Sequence, residues 1–420
     1  MDSAVGWLLD VTVERNAATL WIKLKQGGIL RLVDKYQPCC YILPRNEQTG
    51  TELFHILSQQ HKIRVEWQNK HTDIDHDGYQ RLLCVYLEST DYYNTLVKRL
   101  QTDQRVAQLF NTELSHVQHY LFTQLQVDPT SKVEVQYDNE RLISLTKIDE
   151  HDGGVQPFTV LYFEVTTLSS LYSLDSHDVN DPIKQITVRY QEEQEVTFAD
   201  DEETILEDFR NYVLTNDPDI LISTEQHCLG TSVLEYLIAR MEELGIDIKL
   251  GRTDKRNAIE GRVYLDESFD NIVGLIEKAR FGCIPLSLAA RLRISRLIDS
   301  RNCYELIKRG FVISRTDKLE RIRTIEEIFA KDKGSMILSP RVGLHENVAV
   351  LDYENEYANL ILRHNLSYER CGTSKGLLPT VLESVLQRRI MFKTLQNHFR
   401  LIHANAIGVS SELWHSRIFS

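Results

Sequence analysis

The stretch Val348–Leu366, VAVLDYENEYANLILRHNL, decides how this chain is read. An apolar run of strand character ends in one acid, Asp352, and within five residues Tyr357 opens what reads as a helix. An acid at the C-terminal end of a buried strand leaves the core and meets a cleft, the usual place for a metal ligand in α/β and α+β enzymes. Taken alone, such a residue is more often a polar strand end. The letters around it, and the rest of the chain, set its weight.

Bulk composition narrows the classes first. With 420 residues the chain can hold two to four domains, each with its own core. Lys and Arg total 48 against 61 Asp and Glu, a formal net charge of -13, so the molecule as a whole repels polyanions and membrane surfaces. A nucleic-acid site therefore has to be a local basic groove. Seven cysteines include the pair Cys39-Cys40 but no C-x-x-C spacing, which argues against a disulfide framework and a structural zinc site. A reducing, intracellular and cytoplasmic setting is expected. The N-terminus carries Asp2 and Asp10 without a basic leader region, and no apolar run approaches the roughly 20 residues of a membrane span. A soluble protein with no membrane partner is expected.

Along the chain, GWLLDVTVE, ATLWIKLK, ILRLVD and CCYILP alternate as strands, with turn-prone ERN, KQGG and DKYQP between them. Helical TELFHILSQQH precedes strand-like IRVEWQN, and LLCVYLES precedes helical TDYYNTLVKRL, so an N-terminal α+β domain is expected over residues 1–152. Thr72–Gln80, TDIDHDGYQ, spaces Asp73, Asp75, Asp77 and Gly78 as a calcium loop does, but Cys84 stands where the bidentate glutamate belongs, and a solvated turn is the better reading. The Gly-Gly and Pro of His151–Pro157 mark a boundary. Beyond it, TVLYFEVTTL, IKQITVRYQ and EVTFAD read as strands, then a helix, the strand DILIS, and the helix LEYLIARMEELG with Gly245 as its stop. This β-β-β-α-β-α order predicts a mixed sheet covered by helices over residues 153–270.

Residues 271–335 turn helical, with NIVGLIEKARFG, SLAARLRISRLI and RNCYELIKRGF, and are the most basic part of the chain. Arg291, Arg293, Arg296 and Arg301 fall here. A solvated helical face and a groove for a phosphate backbone are both open readings. The fold class is thus α/β and α+β, multidomain.

The letters that follow Asp352, through Tyr353, Asn355, Glu356, Tyr357 and Ile361 to Asn365-Leu366, resemble motif A of family B DNA polymerases. That motif reads Asp-aromatic-x-Ser-Leu-Tyr-Pro-Ser-Ile-Ile and ends in a turn with Asn-Leu. The resemblance implies that Asp352 is catalytic, bridging two Mg2+ ions, with the Tyr353 carbonyl as a further ligand. The turn at Asn355 and Glu356 would aim backbone N–H groups at a dNTP triphosphate, and Tyr357 would lie under the deoxyribose. The chain departs from the motif at Asn355, Glu356, Ala358 and Asn359, and Glu356 would set like charge against the triphosphate.

The resemblance extends over nearly the whole chain. Tyr36-Gln37-Pro38-Cys39-Cys40-Tyr41 is similar to a strand of the archaeal N-terminal domain, and Phe110–Leu114 with His119-Tyr120-Leu121 to the segment leading into the exonuclease. Glu202–Leu206 and Asp217–Ile222 resemble the helix and strand before the second exonuclease motif. Ile298–Leu306 looks like the link into the palm, and Leu378–Leu382 with Arg388-Arg389 like the stretch after motif A. It implies an N-terminal domain, an RNase H-like 3'-5' exonuclease fold, a helical basic link (271–335) and a partial palm (336–420). DNA contacts fall to Arg291, Arg293, Arg296, Arg301, Arg388 and Arg389, and a template-uracil pocket to Pro38, Cys39 and His119, though for these last three a core or surface role is the better reading.

Against the family's Phe-Asp-x-Glu-Thr, this chain has Phe163-Glu164-Val165-Thr166-Thr167. The first acid is one methylene longer and the second is a hydroxyl, either of which disables two-metal hydrolysis. The second motif is replaced by Thr224–Val233 without an aspartate, and neither a Tyr-x-x-x-Asp third motif nor the fingers Lys-x-x-x-Asn-x-x-x-Gly nor a palm Asp-Thr-Asp is found. Two expectations remain open. One is an N-terminal portion of a split or truncated polymerase that acts on primer-template DNA with a second polypeptide supplying fingers, palm and thumb. The other is a non-catalytic remnant that binds single-stranded or primer-template DNA, or a replication partner.

Overall fold

The computed structural model describes residues 2–74, 78–148, 157–168, 181–191, 194–223, 232–253, 258–266, 272–314, 324–331, 339, 341–349, 353, 355–369 and 375–407. They form two compact units, residues 1–70 with 79–313 and residues 71–78 with 314–420.

In the first unit, strands β1 (Asp2–Glu14), β2 (Ala17–Leu24) and β3 (Ile29–Lys35) pair in antiparallel succession. Side chains alternate across a strand, so Ala18, Leu20 and Ile22 of β2 enter one core while Trp21 enters another. The chain then builds β4 (Cys39–Pro44), α1 (Glu47–Ser58), β5 (Ile63–His71), β6 (Tyr79–Leu87), α2 (Tyr93–Thr102) and β7 (Val106–Phe110). Asn46 starts α1 with a capping box to Thr49. These strands make a separate four-stranded sheet ordered β5-β6-β4-β7. Its Cys40, Ile42, Leu83 and Val85 pack on Leu53 and Leu57 of α1 and Leu96 and Leu100 of α2. Its other face buries Cys39, Tyr41, Leu82, Cys84 and Phe110 with Val312. The acidic run Thr72–Gln80 joins β5 to β6, and its residues 75–77 lie outside the described residues.

Helix α3 (His116–Tyr120) and the π-helical turn Leu121–Leu125 then bring Tyr120, Leu121 and Phe122 into the core of the first three strands. The hairpin β8 (Lys132–Asp138) and β9 (Arg141–Lys147) closes that core. β8 pairs with β1 antiparallel and β9 with β3 in parallel, giving a closed barrel ordered β1-β2-β3-β9-β8.

The expected mixed sheet follows as β10 (Val160–Thr167), β11 (Ile183–Tyr190), β12 (Val196–Phe198), α4 (Glu202–Asn216), β13 (Ile220–Ser223), α5 (Val233–Glu243) and β14 (Val263–Leu265). The order is β12-β11-β10-β13-β14, with β10, β13 and β14 parallel and β11 antiparallel to both neighbours. Asp201 caps α4, and Gly245, at φ 72, follows the C-cap Leu244 of α5. One face packs Leu161, Phe163 and Val165 on α4 and α5.

The other face meets helices α6 (Ile272–Gly282), α7 (Leu286–Arg291) and α8 (Ile294–Lys308). The predicted single helix over SLAARLRISRLI is in fact split: Leu292 takes extended backbone (ψ 138), and the second helix starts at Ile294 and runs through RNCYELIK. One core joins Leu275, Ile276, Leu286 and Leu297 to Ile220 and Ile222 of the sheet and to Leu9 and Trp21 of the barrel.

The second unit contains α9 (Ile325–Lys331), α10 (Glu356–His364) and α11 (Leu377–Ile407). Among the described residues no helix is long and apolar enough to cross a membrane.

Candidate functional site

The motif around Asp352 falls at the start of α10, in the second unit. Asp352 itself and Glu354 lie outside the described residues. Tyr353 and Tyr357 are exposed, at 78% and 76%, as is Leu360, at 42%. Asn355 is the N-cap, in the left-handed region at φ 55, and makes no side-chain capping bond. Glu356 stands in the first helical turn, where its negative charge complements the helix dipole. At the other end Asn365 closes α10 in the left-handed region (φ 49), and its Oδ1 accepts from the Gly376 N–H at 2.7 Å, while Ser367 Oγ accepts from Leu378 at 3.1 Å. These bonds tie α10 to the start of α11, where Arg388 lies over the Phe392 ring at 5.6 Å and Arg389 is exposed.

On the five-stranded sheet, Glu164 and Thr166 follow Val160 and Tyr162 on one face of β10, opposite Thr187 and Gln185 of β11. Glu164 is exposed and Thr166 partly buried. Residues 224–231, most of the Thr224–Val233 stretch expected to stand in place of the second motif, lie outside the described residues. Among the described residues no three of His, Cys, Asp and Glu come together to hold a metal ion.

The basic segment divides. Arg291 and Arg296 are 66% and 73% exposed and make long pairs, 3.7 Å, to Asp266 and Asp299. Arg293 is exposed at the N-cap of α8. Pairs this long and this exposed are worth little and yield readily to a phosphate. Arg301 differs from the expectation. Its side chain is 16% exposed, pairs with Glu305 at 2.8 Å and Asp128 at 3.2 Å, and lies over the Tyr304 ring at 5.0 Å. It holds α8 to the barrel side and is not offered to solvent.

Pro38, Cys39 and His119 come together, but inside the core. Cys39 and His119 are 6% and 5% exposed, and Pro38 is buried. His119 Nε2 lies 3.2 Å from Cys39 Sγ, and its Nδ1 lies 3.2 Å from the Tyr36 hydroxyl, so both ring nitrogens already have partners. Burial and the neighbouring His116 push the His119 imidazole down to about 4, which keeps it neutral. The pocket reading for these residues is replaced by a packing role.

Sequence reasoning missed a buried charge cluster between barrel and sheet. Asp219 is fully buried just before β13. Its Oδ2 accepts from Lys23 Nζ at 2.7 Å and from the Thr159 N–H and Oγ1 at 2.9 and 3.0 Å, and its Oδ1 accepts from Arg252 at 2.9 Å. Asp217 pairs with Arg252 at 2.7 Å and Arg262 at 2.8 Å. The one visible signal was the acid of DPDIL ahead of a buried strand.

No family model matches the chain. A curated relative, DNA polymerase 2 of Saccharolobus solfataricus, is 28% identical over 137 residues, covering 29% of this chain and 22% of its own. DNA polymerase of Archaeoglobus fulgidus is 24% identical over 452 aligned positions, covering 89% of this chain and 55% of its own. The solved family B DNA polymerase of Pyrobaculum calidifontis matches with a TM-score of 0.70 at 16% identity, over 94% of this chain and 64% of that one. The chain thus spans about a fifth and about half the length of these curated relatives. Similarity in sequence and likeness in fold agree: the chain resembles the N-terminal region of the family B DNA polymerases.

Proposed function

We propose that this chain is the N-terminal portion of a DNA-directed DNA polymerase of family B, with an inactive proofreading site. It extends a primer only when a second polypeptide supplies the fingers motif, the Asp-Thr-Asp strand and the thumb. The observation that carries the reading is the collinear similarity to a DNA polymerase over 89% of the chain. The strand order β12-β11-β10-β13-β14 supports assigning residues 153–270 to an RNase H-like exonuclease fold. Glu164 and Thr166 at the two acid positions support its inactivity, since one carboxylate and one hydroxyl cannot position two metal ions.

In the completed site Asp352 is the magnesium-bridging acid, Tyr353, Asn355 and Tyr357 border the dNTP, and Arg291, Arg293, Arg296, Arg388 and Arg389 contact DNA. Glu356 favours a second reading, a non-catalytic remnant that binds DNA or a replication partner, because its charge opposes a triphosphate. Primer extension with Mg2+ separates them. The chain alone gives no extension. With a polypeptide carrying the missing motifs, extension appears and Asp352→Ala abolishes it. Extension by the chain alone refutes the incompleteness, and reconstituted activity that survives Asp352→Ala refutes the ligand. DNA binding without reconstitution leaves the second reading standing.

A further inference from the structure

The barrel has a specific connectivity. Three antiparallel strands are followed, after the inserted four-stranded sheet with α1 and α2, by a helix, α3, and then by a hairpin whose second strand pairs in parallel with the third, so the order within the barrel is first, second, third, fifth, fourth. Five-stranded barrels of this kind hold single-stranded oligonucleotides across the outer face of their second and third strands, using cations for phosphates and aromatic rings for bases. The corresponding outer residues of β2 are Thr19, Trp21 and Lys23, so an aromatic ring and a cation stand side by side where such a face needs them.

Neither is available. Thr19, Trp21 and Lys23 are 7%, 2% and 8% exposed. Trp21 packs with Val160, Ile220 and Val263 of the five-stranded sheet. Gly261, at φ 88, leaves room for its ring, since a methyl group there would lie 2.8 Å from it. Lys23 gives its ammonium to Asp219 at 2.7 Å. We infer that the outer β2 face of the barrel is an intramolecular docking face for the five-stranded sheet, in which Asp219 stands against Lys23 where a phosphate would.

The Lys23–Asp219–Arg252 cluster is then a latch between barrel and sheet, and β2 contributes nothing to nucleic-acid affinity. This holds whether or not the chain belongs to a working polymerase.

Amine acylation of the full chain with an N-hydroxysuccinimide ester, read by peptide mass spectrometry, tests it. Lys23 is expected to react at least tenfold more slowly than the exposed Lys35, and Asp219→Asn is expected to raise its rate at least tenfold. Lys23 reacting as fast as Lys35 in the unmutated chain overturns the inference. In parallel, Lys23→Met is titrated with a fluorescent oligo(dT) of about 20 nucleotides at several salt concentrations. Unchanged binding, within twofold, supports the docking face. Tenfold weaker binding with a salt slope reduced by about 1 overturns it. Where Lys23→Met fails to fold, hydrogen exchange of Leu20–Lys23 in the unmutated chain decides. No added protection with oligo(dT) agrees with the closed face, and added protection there overturns it.

Discussion

Replacing Asp219 by Asn keeps the volume of a fully buried side chain and removes the charge on which two cations converge. In the intact chain the carboxylate accepts four hydrogen bonds, from Lys23, Arg252 and twice from Thr159. After the change Lys23, Arg252 and Arg262 remain with Asp217 as the acid of the cluster. Arg252 still has Asp217 and the carbonyls of Asp217, Pro218 and Gly261, so most of the loss falls on Lys23. Removing one partner of a buried pair costs about 3–5 kcal/mol, because the other charge stays desolvated. At roughly 2–4 °C per kcal/mol for a domain of this order of size, the melting temperature of the first unit falls by on the order of 10 °C. Calorimetry of the full chain, with urea unfolding followed by tryptophan fluorescence, measures it. The double variant Lys23→Met with Asp219→Asn is expected to recover part of the loss, since no lysine is then left buried and unpaired. A drop below about 1 kcal/mol for Asp219→Asn, or a double variant no better than the single, refutes the account of the cluster.

Other expectations follow from burial and space. His119 binds a proton less readily in the fold (about 4) than when unfolded (6.5), so stability is full above pH 6.5, falls as pH drops from 6.5 to 4, and loses about 3 kcal/mol in all; His119→Gln should flatten that part of the melting-temperature profile. Burial pushes the Asp10 carboxyl up to about 7 from 3.8, so its contribution runs the other way, stability falling as pH rises from 3.8 to 7. Asp10→Asn should therefore raise the melting temperature at pH 8 and leave it unchanged at pH 4, and equal effects at both would contradict the assignment. Gly261→Ala forces a left-handed alanine and a 2.8 Å approach to Trp21, a loss of about 2–4 kcal/mol visible as a shifted Trp emission and an earlier urea midpoint.

Much of the local structure was legible because it is written in short-range chemistry. Period-two alternation marked β1 to β4, and a terminal glycine, Gly245, marked the end of α5. The β8–β9 hairpin went unread although KVEVQYD alternates with period two, Val133 and Val135 inward and Glu134 and Gln136 outward, and the three-residue β14 is too short to carry a period. The break at Leu292 was invisible too, because nothing in LRIS forbids a helix. The candidate site divides in the same way. Residue identities alone carried the expectation that Glu164 and Thr166 replace two acids, and the family resemblance around Asp352. That Arg301 is an internal strut, that Cys39 and His119 satisfy each other inside the core, and that Lys23 answers Asp219 were decided by the tertiary structure alone. The sequence by itself determines which charges and hydrogen-bonding groups exist and how each strand or helix sorts its faces. Which of those groups meet is set when separate elements pack, because a buried charge is tolerated only beside a partner that distant parts of the chain bring to it.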